Sequence, residues 1–190
     1  MNMKLNPVSK KIEITSGIDI LLALLYAKGS TGVYNENIRG ITRVVKLLFL
    51  LEKESEFSEL LKENYQFDAY DYGPFAPEIL GDIEALSIKG ILEICIEKKG
   101  SKMESVDQKP LSDEDDSDSG NSLPKTYKLS NNGERLGKAI FDALTEKQRN
   151  YLITFKTIYN PMNLNDLLHL VYSKYPETTR KSRIKDKILV

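Results

Sequence analysis

The chain has 190 residues, a net charge of −1 and 41% hydrophobic residues, values typical of an ordinary water-soluble globular protein. Because the net charge is close to zero, no overall field favours binding to nucleic acid or to an anionic membrane. A single cysteine, Cys95, excludes an intramolecular disulfide and a thiolate zinc cluster. No signal peptide opens the chain, and the apolar run 20–27 is too short to span a bilayer. We therefore expect a cytoplasmic protein without a membrane partner.

Two amphipathic segments predict the first two helices. Apolar residues at helical spacing after Ser16 predict a helix that ends at Gly29, and Ser16 with Asp19 has the spacing of a capping box. The second helix, residues 43–54, carries apolar side chains on nearly every side, which is typical of a helix buried in the core. Its narrow polar strip includes Lys46, which we expect to point outward along one edge.

An aromatic-rich stretch with a Gly-Pro pair precedes the third predicted helix. Residues 65–75 predict an extended segment that enters a tight turn at Gly73-Pro74, and the helix follows over 76–89 with a stop at Gly90. We expect its buried face to consist of Ile79, Leu80, Ile83 and Leu86. Its outward face carries Glu78, Gly81, Asp82, Ala85 and Lys89 and is flanked by Glu84, so three acids stand against one base.

A β-hairpin with a long acidic tip follows this helix. Residues 91–96 form a short isoleucine-rich run, and residues 126–129 predict the strand that returns to pair with it. We expect Cys95 to be an inert, buried thiol in the first strand. Residues 97–125 between the strands are polar, with five acids in 112–119. We expect this insertion to be disordered, because it cannot bury enough apolar surface to order itself.

Three capping residues, Ser130, Thr145 and Asn163, divide the rest of the chain into helices. A last short helix within 178–189 would be anchored by Ile184 and Ile188. The inward positions that we expect in the three capped helices are Leu136, Ile140, Ala143 and Leu144, then Leu152, Phe155 and Ile158, then Leu164, Leu167, Leu168, Val171 and Tyr175.

The order of these elements is helix, helix, turn, helix, strand, strand, helix, which is typical of a winged helix-turn-helix domain. We therefore predict an α+β, mainly helical fold: a winged-helix domain over 1–145 with a two-stranded β-hairpin wing, and a C-terminal helical extension over 146–190 packed on it. A generic α+β domain with a two-stranded hairpin would use the same core residues and stays open.

The signs of the charges bear on what such a domain binds. A recognition helix and a wing that bind DNA need donors and bases facing the phosphates, but here the third helix and the hairpin tip are acidic. Basic residues instead give the last 17 residues a net charge of +4. DNA binding would therefore use contacts from outside the recognition helix, namely Arg39, Arg43, Lys46, Arg180, Lys181, Arg183 and Lys185.

Sequence motifs of catalytic sites are absent. No HExxH, CxxC, Walker or GxGxxG pattern occurs, and no nucleophile or acid forms a recognisable motif with the lone His169, which we expect to be a surface or boundary residue. We expect a protein that is not an enzyme and holds no metal or cofactor. A small-molecule pocket or enzyme would need an aromatic cavity beside Lys46 and Asp71.

Two short motifs resemble known families. Lys46-Leu-Leu-Phe49 in the buried helix, followed by Asp71-Tyr72-Gly73-Pro74-Phe75, resembles the YwgA-like family of small bacterial and archaeal proteins over about 18–92 and again from Tyr127 onward. A more distant resemblance, carried by Lys46, Gly73 and Pro74, is to the Panacea domain of SocA-like antitoxins. The second resemblance implies a non-catalytic module that binds and neutralises a toxin or presents it to a protease.

Together these observations predict a non-enzymatic regulatory interaction module, antitoxin- or adaptor-like, that docks a protein partner such as a basic toxin. Homodimer formation is compatible with the same surface, because Gly81 and Ala85 stand four residues apart and would admit another chain closely. A DNA-binding transcriptional regulator of the winged-helix class is the alternative. The predicted interaction residues are Lys46, Tyr70, Asp71, Tyr72, Gly73, Pro74, Phe75, Glu78, Gly81, Asp82 and Ala85.

Overall fold

A computed structural model of the chain describes residues 12–54, 57–96 and 124–189. Almost all of the predicted acidic insertion, including 112–119, lies outside these ranges. The described part is α+β and mainly helical, with one three-stranded and one two-stranded antiparallel sheet. No helix within the described ranges is both long enough and apolar enough to cross a membrane.

The elements follow one another in the order that the sequence predicts, with additional short strands. A 3₁₀ turn, Pro176–Thr179, separates the last two helices. In chain order the helices and strands are α1 (Gly17–Tyr26), β1 (Ile38–Arg39), α2 (Ile41–Glu54), α3 (Phe57–Leu60), β2 (Asp68–Tyr70), β3 (Gly73–Phe75), α4 (Pro77–Ile88), β4 (Leu92–Ile96), β5 (Lys125–Leu129), α5 (Asn131–Ala143), α6 (Glu146–Tyr159), α7 (Leu164–Lys174) and α8 (Lys185–Ile188).

The predicted caps fix the starts of four helices, α1, α5, α6 and α7. The side-chain oxygens of Ser130, Thr145 and Asn163 accept hydrogen bonds from backbone N–H groups in the first turns of α5, α6 and α7, at 3.1, 3.3 and 2.8 Å. The Asp19 carboxylate accepts from the backbone N–H of Ser16 at 3.1 Å, as a capping box requires. Helix α2 begins at Ile41, two residues before the predicted start at residue 43.

The predicted hairpin is confirmed, but its sheet has a third strand. Strands β4 and β5 pair antiparallel from Leu92 opposite Leu129 to Ile96 opposite Lys125. Strand β1 pairs with the other edge of β5, so β5 is central. The sequence missed β1 because two residues in a glycine-bounded loop carry no alternating pattern. The expectation of a buried Cys95 is also wrong: residues 93–96 are all exposed on the projecting hairpin.

The Gly-Pro pair is not the turn that the sequence predicted. Strands β2 and β3 pair with Asp68 opposite Phe75 and Tyr70 opposite Gly73, so the connection between them falls at Asp71 and Tyr72. Pro74 lies within β3, where it pairs with Ala69. A two-stranded sheet consists of edge strands only, and a proline that has no N–H to donate is tolerated there.

The core is one continuous cluster in which residues 44–51 of α2 are all buried. Four side chains expected to be inward are exposed, because periodicity identifies a helix but not how far its neighbours extend around it. On α5, Gly133 and Gly137 are buried instead, and a Cβ at Gly137 would lie 2.5 Å from Leu129 Cδ1. The exposed side chains are Leu80, Leu136, Ala143 and Ile158.

Lys156 joins α6 to the C-terminal end of α1. Its side chain has 0% exposure, and its ammonium donates to the carbonyls of Leu25 at 2.8 Å and Ala27 at 2.9 Å. A cation at this end of a helix satisfies its last carbonyls and the negative end of its dipole. Burial lowers the pKa of Lys156 to about 7, against the opposing attraction of Glu36.

This depressed pKa predicts a pH dependence of stability. Between pH 7.5 and 9.5 the unfolded chain keeps the Lys156 proton that the folded chain releases, so the free energy of unfolding rises with pH by up to about 1.4 kcal/mol per unit. Lys156→Met should remove this contribution. We expect the stability of the wild type relative to Lys156→Met, measured by urea unfolding, to increase across this range.

Lys138→Met is the matched control, because Lys138 is an exposed lysine whose pKa Asp142 raises and which therefore keeps its proton in this pH range. Stability curves of the wild type and Lys156→Met that run parallel from pH 7.5 to 9.5 would show that Lys156 does not titrate there.

Candidate functional site

A pocket of about 390 Å³ opens between α2, the β2–β3 hairpin and α4. Its volume lies in the range of sites that accept a small ligand or a large side chain. Half of its lining comes from predicted interaction residues. The lining residues are Ile41, Thr42, Val45, Lys46, Tyr70, Asp71, Tyr72, Phe75, Pro77 and Leu80.

Lys46 does not point outward as predicted. Its side chain is 2% exposed, and its ammonium donates to the carbonyl of Pro74 at 2.8 Å. Burial of an ammonium is costly unless hydrogen bonds replace its water, and the Pro74 carbonyl is one such acceptor. This bond fixes β3 against α2, so Lys46 helps to form the floor of the pocket.

Gly73 and Pro74, both predicted to be docking residues, are buried structural positions. Gly73 has φ +81°, and a Cβ there would lie 2.6 Å from Cε1 of Tyr172. The Tyr172 ring is completely buried, its hydroxyl lies 2.8 Å from Oγ of Ser182, and burial raises its pKa to about 12. Glycine at 73 therefore lets α7 pack directly on the hairpin.

Asp71 connects the β2–β3 turn to the C-terminal segment. Its backbone carbonyl accepts from the N–H of Arg183 at 2.9 Å, and its carboxylate lies 2.9 Å from Nη2 of the same arginine. The Asp71 side chain is 25% exposed, whereas that of Arg183 is 74% exposed. The predicted nucleic-acid contact Arg183 is thus the ion-pair partner of a pocket residue.

Aromatic side chains form the wall of the pocket opposite α2. Tyr70 is 54% exposed and stacks on Phe75 with ring centroids 5.1 Å apart. Tyr72 is half-buried beside them, and Leu80, 38% exposed, continues the apolar surface onto α4. An exposed aromatic–aliphatic rim around a concave pocket can hold an apolar or cationic side chain.

The outward face of α4 is only partly as predicted. Glu78, Gly81 and Glu84 are exposed, and a Cβ at Gly81 would have no atom within 4 Å. Asp82 and Ala85 are half-buried instead. The Asp82 carboxylate accepts from the Tyr65 hydroxyl at 2.8 Å, so it contributes to packing as well as to the surface.

Tyr65 is the centre of a small buried network beneath α4. Its backbone N–H donates to Oε1 of Glu52 at 3.3 Å, and its ring lies against Gly17, where a Cβ would be 2.5 Å from it. Burial raises the pKa of Tyr65 and raises that of Glu52 to about 7. None of these three residues lines the pocket, so the network positions α2 and α4 without entering the site.

The other predicted nucleic-acid contacts do not line this pocket. Arg43 is half-buried, and its guanidinium donates to the carbonyls of Met162 at 2.6 Å and Tyr159 at 3.4 Å, where it holds the α6–α7 connection. Arg180 and Lys181 line a separate cavity of about 290 Å³ beside β2. Arg39 is exposed and Lys185 is half-buried.

Sequence reasoning missed the lining residues Ile41, Thr42, Val45, Pro77 and Leu80. Pro77 and Leu80 stand three residues apart on α4 and therefore share a side of the helix. The sequence predicts that Leu80 is buried, because it lies next to the buried apolar face of α4. Leu80 lies close to Pro77, which is exposed at the first position of the same helix. This proximity is the signal that could have placed Leu80 at the edge of the buried face.

Other reactive side chains lie away from the pocket. His169 is exposed on α7, and Cys95 is exposed on β4. Across the described residues, no group of three or more histidine, cysteine and acidic side chains could hold a metal ion. The predicted condition for a small-molecule site, an aromatic cavity beside Lys46 and Asp71, is met by the pocket.

Comparison with known proteins finds no match: no protein-family model, no curated protein and no solved structure matches the chain. The resemblances to the YwgA-like family and to the Panacea domain stay predictions. The function proposed below therefore rests on the geometry of the pocket and of α4.

The contact between Gly73 and Tyr172 predicts a large effect of a single methyl group. Gly73→Ala should destabilise the fold by about 2–4 kcal/mol, since it combines a strained positive φ with overlap against a buried ring. Gly81→Ala is the control, because that position is an open, exposed helix interior where alanine should stabilise by about 0.5–1 kcal/mol. Urea unfolding measures both, and equal stabilities of the two variants would contradict this account.

Proposed function

We propose that the protein is a non-enzymatic interaction module of the winged-helix class that docks a protein partner in an antitoxin- or adaptor-like way. The order of α1, α2 and α4 before the β4–β5 hairpin supports the class. The short strand β1 between α1 and α2, paired with β5, supports it further. In this class α4 takes the place of the recognition helix.

The observation that carries the proposal is the pocket between α2, β2–β3 and α4 together with its exposed apolar rim. Tyr70 and Leu80 on this rim are 54% and 38% exposed. Ile88, 79% exposed, lies eight residues beyond Leu80 on the same side of α4. An apolar surface that extends beyond a concave pocket is typical of protein interfaces, whose buried cores are rich in aromatic and aliphatic side chains.

A protein partner fits this geometry better than a small molecule. Small-molecule sites bury most of the ligand surface, whereas here Tyr70, Leu80 and Ile88 form an open surface around and beyond the pocket. The exposed acid Glu84 lies one turn after Leu80 on the same side of α4, Glu78 is exposed in the first turn of that helix, and both favour a partner with basic residues.

The DNA-binding alternative has less support. In the recognition position α4 presents Glu78 and Glu84, which phosphates repel. Arg43 and Arg183, two of the expected contacts, are engaged with carbonyls of the α6–α7 connection and with Asp71. Loss of affinity for duplex DNA with rising salt in an electrophoretic shift assay would be the result that favours this alternative.

Two leucines of equal exposure provide a matched test of the docking surface. Leu80 lines the pocket and Leu136 lies on α5 outside it, and each is 38% exposed. We expect Leu80→Asp to lower the affinity for the partner at least about tenfold, as truncation of a residue near the centre of an interface does. Leu136→Asp should bind the partner as wild type does. Partners are captured with the tagged chain, and the amount captured by each variant is compared with wild type by mass spectrometry. The purified partner is then titrated to measure its affinity.

Gly81→Arg is a second variant, because it places a long cation on an open part of α4 without filling the pocket. Circular dichroism and thermal unfolding should show that all three variants are folded. Folded Leu80→Asp and Gly81→Arg proteins that keep every partner of the wild type would overturn the proposed surface.

A further inference from the structure

We propose that the pocket binds an arginine side chain of the partner protein at Asp71, and that this arginine replaces Arg183 of this chain as the cation paired with the Asp71 carboxylate. This inference rests on the proposed function and specifies the chemistry of the partner. It follows from the position of Asp71, from the exposure of its present cation and from the aromatic side chains around it.

Asp71 is the acidic residue among those that line the pocket. Among the lining residues Lys46 carries the other charge, but Lys46 is 2% exposed and its ammonium donates to the Pro74 carbonyl. The Asp71 side chain is 25% exposed. A group that enters from solvent therefore meets the carboxylate before the ammonium, and a cation is the complementary group.

The cation that Asp71 now contacts is exchangeable. Nη2 of Arg183 lies 2.9 Å from Oδ2 of Asp71, but the arginine side chain is 74% exposed, and ion pairs with so exposed a partner contribute little net free energy. The C-terminal segment does not depend on this pair, because the backbone N–H of Arg183 donates separately to the Asp71 carbonyl at 2.9 Å. The Arg183 side chain can leave while the segment stays in place.

A guanidinium fits the surroundings of Asp71 better than an ammonium. It is planar, it binds a carboxylate through two parallel N–H groups, and it stacks on aromatic faces. Tyr70, exposed at the rim, and Tyr72, next to Asp71 in the chain, supply such faces in the pocket lining. The methylene groups of the incoming arginine would cover Leu80 at the α4 side of the pocket.

The acidic residues of α4 support an arginine-bearing partner. Glu84 follows Leu80 by one turn, so its exposed carboxylate borders the side of α4 that lines the pocket. The exposed Glu78 adds negative charge in the first turn of the same helix. Complementary charge at the rim of an interface steers association and fixes orientation. The site thus combines an anchor for one arginine with a border that favours further basic residues.

The test uses the isotope-labelled full chain and N-acetyl-arginine amide as the probe, with N-acetyl-citrulline amide as its neutral isostere. Amide chemical shifts of residues 70–72 report binding at the pocket. We expect Arg183→Ala to bind the arginine probe about two- to fivefold more tightly than wild type, the gain expected when a weak competing ion pair is removed. The citrulline probe should bind more weakly than the arginine probe to every chain that retains the Asp71 carboxylate.

Two variants complete the experiment. Arg180→Ala is the matched control, because Arg180 is an exposed arginine of the same segment whose Nε donates to the Glu177 carbonyl and not to the pocket. It should bind as wild type does. The double variant Asp71→Asn/Arg183→Ala should lose the gain and bind the two probes alike, and its thermal unfolding should show that it remains folded.

Equal affinity in wild type and Arg183→Ala, chemical-shift changes confined to residues that do not line the pocket, or arginine binding that persists in the double variant would overturn the inference. These outcomes are distinguishable from failure of the proposed function, because they require no natural partner. A chain that captures its partner through Leu80 but does not bind the arginine probe would retain the docking surface and lose only the arginine site.

Discussion

The hydrogen bond from the Lys46 ammonium to the Pro74 carbonyl is the contact on which the candidate site depends. A lysine in the middle of an otherwise apolar helix is tolerated in the core only with acceptors for its donors. Strand β3 supplies such an acceptor at 2.8 Å. On the other side of β3, Gly73 allows Tyr172 to approach within contact of the backbone. The hairpin is therefore held between α2 and α7, and Tyr70 and Asp71 of this hairpin line the pocket together with residues of α2 and α4.

Much of the fold follows from local sequence rules. Caps at Ser130, Thr145 and Asn163 and helical periodicity located the helices because these signals act within one turn. Strand β1 was missed because its two residues acquire strand geometry only from pairing with β5, more than 80 residues later in the chain. The errors at Leu80, Leu136 and Ile158 share another cause. Burial depends on where neighbouring helices end, which helical periodicity does not encode.

The sequence predicted which hairpin residues belong to the candidate site better than it predicted what each residue does there. Tyr70, Asp71, Tyr72 and Phe75 do line the pocket, because a short hairpin keeps neighbouring residues together. The roles of Lys46, Gly73 and Pro74 were inverted: these residues build the site from inside and are not available to a partner. A lysine on a narrow polar strip, such as Lys46, is predicted to face solvent unless the carbonyl that binds it is known, and here that carbonyl is 28 positions away in sequence. Polar residues in a core can be assigned only from such tertiary contacts.

The C-terminal helices support the site, although none of their residues lines the pocket. The Lys156 ammonium holds the end of α1, the Arg43 guanidinium holds the α6–α7 connection, and Tyr172 lies against Gly73. The segment after α7 then returns to the hairpin through the two contacts of Arg183 with Asp71. The basic C-terminal run, which in the sequence suggests a free phosphate-binding tail, thus contributes one of its arginines to the neutralisation of a pocket acid. A partner that replaces the Arg183 side chain would release positive charge beside its own interface while the backbone contact keeps the segment docked.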